Sequence, residues 1–144
     1  MAVNQKSVKY AAPQVMNVDG RAVYICDKVV NPPMVINDTY DWKIPAGLEV
    51  ASIEVQADDV ESTTTSTFKL GYTPVDSSSA LPPNLAYFAA TGQTLLRTGG
   101  RLVCPFKPIK FEEDVILRMT IEVAGTPIAG EIFAIIGGNA VGPK

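Results

Sequence analysis

Fifteen aspartates and glutamates and no histidine bound the chemistry that this 144-residue chain can support. Without histidine it lacks the commonest general base, the usual member of a nucleophilic triad and the commonest metal ligand. The densest acidic run is Asp58-Asp59-Val60-Glu61, followed by Ser62 to Ser66. Three carboxylates so close together could ligate Ca²⁺ through oxygen. The run has neither the glycine nor the terminal glutamate of an EF-hand loop, and it reads as a solvated polar loop. Glu112-Glu113-Asp114 forms a second acidic corner. Cys26 and Cys104 lie far apart and share no motif, which leaves two readings: buried free thiols, or one disulfide between distant strands. No phosphate-binding glycine loop, dinucleotide fingerprint or nucleophile elbow occurs. A glycosidase-type carboxylate pair is spatial rather than sequential, yet most of the acids fall in turns or on polar strand faces. The expectation is a non-enzyme without cofactor or metal.

Composition narrows the classes further. The length suits one domain with a real core, and 47% hydrophobic residues argue against disorder. A formal charge of −3 without a basic patch argues against nucleic acid as a partner, because that affinity comes largely from phosphate neutralisation. No run approaches the ~20 apolar residues of a membrane-spanning helix. The opening Met-Ala-Val-Asn-Gln-Lys-Ser has no export character, so the expectation is a soluble chain made in a reducing cytoplasm. Eleven glycines and eleven prolines break the sequence into short pieces, the rhythm of many strands.

Those pieces alternate. Val115, Leu117, Met119, Ile121 and Val123 are apolar, with Arg118, Thr120 and Glu122 between them, so this strand buries one face. Gly125-Thr126-Pro127 breaks the chain before a second apolar run to Ile136, and the pair reads as a hairpin in an antiparallel sheet. Ala22 to Cys26 is a strand apolar on both faces. Tyr40, Trp42 and Ile44 alternate with Asp41 and Lys43. From Leu48 to Ala57 the phase shifts, Leu48 and Val50 on one face and Ile53 and Val55 on the other, as at a β-bulge or in a strand covered on both faces. Phe68, Leu70 and Tyr72 point inward. Asn84 is positioned to cap one short helix over Leu85 to Thr91, with Leu85, Phe88 and Ala89 on one face. Arg101 to Phe106 reads as a strand at an edge or bend, because Pro105 and Pro108 block interior pairing. The sum is an all-β chain: an antiparallel β-sandwich or jelly roll with one short helix in a connection. Residues 22–136 form that domain and 137–144 a flexible C-terminal tail.

Residues 1–21 differ from the rest. Lys6, Lys9 and Arg21 outnumber Asp19, a net +2, and the apolar residues follow no clean period. They read as a first strand or as an N-terminal arm that orders against a neighbouring subunit. Candidate interface residues are therefore Val3, Val8, Tyr10, Val15, Met16 and Val18. Trp42, the single tryptophan, reads either as core or as an interface anchor.

The run Tyr40-Asp-Trp-Lys-Ile-Pro-Ala-Gly-Leu-Glu-Val-Ala-Ser-Ile-Glu-Val55 resembles small structural proteins of tailed bacteriophages. The likeness continues through Thr67-Phe-Lys-Leu-Gly-Tyr72, Ala86-Tyr-Phe-Ala-Ala-Thr91, the Gly99-Gly-Arg101 turn and the closing Val115–Ile136 segment, roughly residues 38–136. Within that group the chain looks most like the capsid cement or decoration proteins, which are small jelly rolls. The resemblance implies a virion protein on the outside of the head. It would bridge neighbouring subunits of the major capsid protein lattice and self-associate as a dimer or trimer. It carries no motif residues over. Two other readings stand beside it. One is a tail, baseplate or fibre subunit. The other is a carbohydrate-binding β-sandwich module, for which Tyr24, Tyr40, Trp42, Tyr72 and Tyr87 are the available rings.

Overall fold

Strand after strand presents one apolar face, and in the computed structural model these faces meet between two sheets. The structure describes residues 2–8, 10–11 and 22–141, and the backbone of 16–18. The strands are β1 (Asn4–Lys6), β2 (Met16–Val18), β3 (Ala22–Val30), β4 (Thr39–Ile44), β5 (Leu48–Ala57), β6 (Thr67–Pro74), β7 (Asn84–Gln93), β8 (Gly100–Val103), β9 (Ile109–Lys110), β10 (Val115–Val123) and β11 (Glu131–Ala140). The first sheet runs β1-β4-β10-β6-β7; the second runs β2-β3-β11-β5-β8, with β9 also on β5.

Chain order and spatial order are nested. β6 pairs with β7, β5 with β8 and β9, β4 with β10, and β3 with β11, all antiparallel. With β1, β2 and β9 set aside, that nesting across two sheets of four strands is the jelly roll. Between the sheets lies one core in which Tyr40, Trp42, Phe68, Phe88, Met34 and Leu117 are fully buried. Burying each such side chain contributes about 1.5–3 kcal/mol, so the core rather than any local preference sets the fold. A satellite of rings closes one side, with Phe88 edge-on to Phe106 at 4.8 Å and Tyr72 edge-on to Phe111 at 5.0 Å between centroids.

Several expectations hold at the level of single residues. Phe68, Leu70 and Tyr72 are buried. The phase shift in β5 is a bulge: Gly137 faces Ser52 and Gly138 faces Val50, leaving Ala51 unmatched. β8 lies at a sheet edge and ends before Pro105.

Others are corrected. Leu85 to Thr91 is not a helix but the middle of β7. Leu70 and Tyr72 are two positions apart on β6, whereas their partners Ala89 and Asn84 are five apart. The extra residues shift the apolar phase, which imitates helical spacing in the sequence. The only helical piece among the described residues is a single 3-10 turn, Leu95–Arg97. Val115–Ile136 is not a hairpin either: β10 belongs to the first sheet and β11 to the second, and the 124–130 connection crosses between them. Residues 137–140, expected in the tail, continue β11.

Candidate interaction surfaces

The N-terminal residues are held by two buried carboxylates. β1 joins the edge of the first sheet as a parallel neighbour of β4, with Asn4, Gln5 and Lys6 opposite Thr39, Tyr40 and Asp41. Asp38, fully buried, accepts hydrogen bonds from the Val3 and Val35 backbone N–H groups at 2.7 and 2.9 Å. Asp41, also fully buried, is gripped on both oxygens by Arg118 (Nε 2.8 Å, Nη2 3.0 Å), while Lys6 Nζ at 2.6 Å and Asn4 Nδ2 at 2.8 Å reach it from β1. Burial by itself would raise the Asp41 carboxyl, but the hydrogen bonds from Arg118, Lys6 and Asn4 outweigh it and hold the group below its ordinary value of 3.8. Lys6 also lies over the Tyr10 ring, 4.8 Å from its centroid. Beyond β1 the chain steps between the sheets: the Ser7 N–H donates to the Asp41 carbonyl and the Val8 N–H to the Lys28 carbonyl on β3. β2 then pairs with the other half of β3. The segment thus covers the β3 and β4 edges, whose backbone would otherwise be open to pairing.

The two ends of the sandwich differ. At one end, loops 31–38 and 124–130 are bonded together through Gly125 N–H to Met34 O and Asn31 N–H to Gly130 O. They display Val35, Ile36 and Ile128, with Val3 and Val123 beside them, all exposed. Asn37, at a φ of 69°, makes the tight reversal that pushes Ile36 outward. At the other end, Asp76, Glu113 and Asp114 line an open groove of about 500 Å³ with Ala46 and Ser79. Asp114 also accepts from the Ala46 N–H at 2.8 Å and Glu113 from Ser79 Oγ at 2.8 Å, so these acids brace their own loops.

The outer faces differ as well. On the first sheet, Thr39, Lys43, Lys69, Arg118, Thr120 and Glu122 alternate with the core residues and face outward. On the second sheet the outward places hold Tyr24, Cys26, Phe133 and Ile135 together with Lys28, Glu131, Ser52, Glu54 and Gln56.

These sheets have counterparts among solved structures. A chain of the capsid of Ralstonia phage GP4 superposes with a TM-score of 0.71 at 15% identity, over 99% of this chain and 100% of that one. A chain of the capsid asymmetric unit of cyanophage Pam1 superposes at 0.62 and 15% identity, over 86% and 89%. The chain shares its fold with phage capsid chains. No family model matches it, and no curated protein matches it in sequence.

Of the interface residues expected from sequence, Val3 and Val8 are 48% and 62% exposed, and Tyr10 is partly covered beside Lys6. Met16 and Val18 lie in β2, where only the backbone is described, and Val15 lies outside the described residues. Trp42 is not an interface anchor: it is 1% exposed, and its indole N–H donates to the Asp27 carbonyl at 3.1 Å across the core. The rings Tyr40 and Tyr72 are buried too, so they offer no platform for a sugar. The Asp58–Glu61 run spreads its carboxylates over separate partners. Asp58 accepts from the Glu131 N–H, Asp59 from the Glu61 N–H, and buried Glu61 from Ser66 and Thr63. Among the described residues no three acidic, cysteine or histidine side chains converge as a metal site would require. Both cysteines are free thiols; Cys104 is buried, which pushes its thiol pKa up to about 12.

What sequence reading missed is the exposed aliphatic end. Val35 and Ile36 lie in a Pro-Pro-Met-Val-Ile run that reads as a strand break, and Val123 completes an alternating strand. Only the loop contacts bring them together.

Proposed function

We propose that the chain is a structural protein of a phage particle. In this reading it is a cement or decoration subunit, made in the host cytoplasm, that sits on the outer surface of the head and bridges neighbouring major capsid subunits. The observation that carries this reading is the end-to-end likeness to a capsid chain, which leaves 1% of this chain outside the superposition. It has no part for catalysis, nucleic acid or membrane.

The polarity of the molecule supports the reading. The end carrying Val35, Ile36, Val123 and Val3 is suited to docking, because exposed aliphatic clusters gain by leaving water. The opposite end, with Asp76, Glu113 and Asp114, is suited to solvent. Many copies on a symmetric lattice each need bind only weakly, since bridging two subunits makes the second contact intramolecular.

Co-sedimentation with assembled heads tests the proposal. Binding that saturates at a fixed ratio to the major capsid protein supports it. Absence of binding to heads, with binding to purified tails instead, overturns it in favour of a tail or baseplate subunit.

A further inference from the structure

We propose that the loop of residues 58–66 is a strap that locks the crossover between the two sheets, residues 124–130, and so holds the aliphatic end in one shape, with Glu61 as its positioning residue. Glu61 is 2% exposed, and none of the ion pairs among the described residues includes it. Its carboxylate is held by hydrogen bonds alone. One oxygen accepts from Ser66 Oγ at 2.5 Å and from the Ser66 N–H at 3.2 Å, and the other accepts from Thr63 Oγ1 at 2.9 Å. Thr63 Oγ1 in turn accepts from the Thr126 N–H at 3.1 Å, which carries the chain of bonds from the strap into the crossover. A buried carboxylate without a cation is costly unless its oxygens are hydrogen-bonded, so these donors fix where it sits.

Further bonds run alongside. The Ser62 N–H donates to the Thr126 carbonyl and the Ile128 N–H to the Val60 carbonyl, both at 2.9 Å, and Thr65 Oγ1 donates to the Ala124 carbonyl at 2.8 Å. The crossover is tied on its other side to the 31–38 loop, through the Gly125 N–H and the Met34 carbonyl at 3.0 Å. Arg97 holds the end of the strap from behind, its Nε on the Ser66 carbonyl at 2.9 Å. Gly125 shows how closely the parts fit. Its φ lies outside the left-handed region, yet a Cβ there would run into Glu61 Oε2. The glycine is therefore required by the carboxylate beneath it rather than by the backbone. A glutamate tip on the surface would swing aside; this one is pinned by Ser66 and Thr63. Ile128 on the crossover, Val123 at its start and Val35 and Ile36 across from it are thereby presented as one rigid surface. A partner that docks there does not first have to order the loops, a cost that flexible surfaces bear on binding. That consequence rests on the docking reading; the strap itself does not.

The test begins on the free full-length chain. Glu61→Ala should speed hydrogen exchange of the Ser62, Thr126 and Ile128 amides together, by at least about tenfold, while the amides of β10 and β11 keep their protection. Thr63→Val, isosteric and only half-buried, cuts the same chain of bonds and repeats the test should Glu61→Ala fail to fold. Gly125→Ala should raise the unfolding constant in the wild type and raise it several-fold less in the Glu61→Ala background, which is the coupling that a clash with the carboxylate produces. Unchanged exchange in both strap variants, or additive effects of Gly125→Ala and Glu61→Ala, would overturn the strap. With assembled heads, Glu61→Ala should raise the concentration for half-saturation several-fold at an unchanged binding ratio. Equal half-saturation in Glu61→Ala and the wild type would overturn the role of the strap in docking. A wild type that binds no heads would overturn the cement reading alone, since exchange and coupling are read without them.

Discussion

Asp41 shows how one side chain sets the position of a whole segment. It lies on β4 between Tyr40 and Trp42, where strand alternation makes it an outward residue, yet its side chain is fully buried under β1. Arg118 supplies a two-toothed partner from β10, and Lys6 and Asn4 reach it from the arm. Arg118 and Lys6 keep partial access to water, so Asp41→Ala, which removes their charge-assisted hydrogen bonds, should cost about 1.5–3 kcal/mol in urea unfolding. The pH dependence has a definite sign. Asp41 is depressed below 3.8 in the folded state, so its contribution is complete above that value. It is lost as pH falls through the lower folded-state value. Urea midpoints measured from neutral pH downward should therefore drop in that acid range, and Asp41→Asn should flatten that part of the profile.

At the scale of elements, β7 illustrates how tertiary pairing overrides a local pattern. Leu85, Phe88 and Ala89 have helical spacing, and Asn84 could cap a helix, yet the segment is extended because it completes the β6 edge and delivers Tyr87 and Phe88 to the ring cluster. Its path depends on Gly71, which is buried in β6. A Cβ there would collide with the Asn84 carbonyl and the Leu85 backbone, neither of which is a flexible side-chain tip. Gly71→Ala should therefore lower stability by about 1–3 kcal/mol through overpacking, with the loss visible as earlier hydrogen exchange in β7. The arm makes the complementary case. Deleting residues 1–18 takes away β1 and β2 and leaves the β3 and β4 edges bare, so the truncated chain should melt at lower temperature and aggregate more readily.

For the whole molecule, the important feature is asymmetry between its two ends, one acidic and one aliphatic. If the aliphatic end meets the shell, Ile36→Asp combined with Val123→Asp should abolish co-sedimentation with heads. Both side chains are already exposed, so the unfolding midpoint should change by less than about 0.5 kcal/mol.

Much of the strand inventory, the inward residues of β4 and β6, the β5 bulge and the edge position of β8 were legible in the sequence. Each is written in period-2 alternation or in the placement of proline, which depends only on near neighbours. Which strand lies beside which was not legible. Val115–Val123 and Glu131–Ala140 have the look of a hairpin, yet they sit in opposite sheets, because alternation states that a face is buried and never by what. The burial of Asp41, the removal of Trp42 from the surface and the joining of Val35, Ile36 and Val123 at one end also needed the folded chain. Each rests on contacts between residues distant in sequence, such as Arg118 with Asp41 or Gly125 with Met34, and the energy that selects those contacts comes from a core that exists only when both sheets are present.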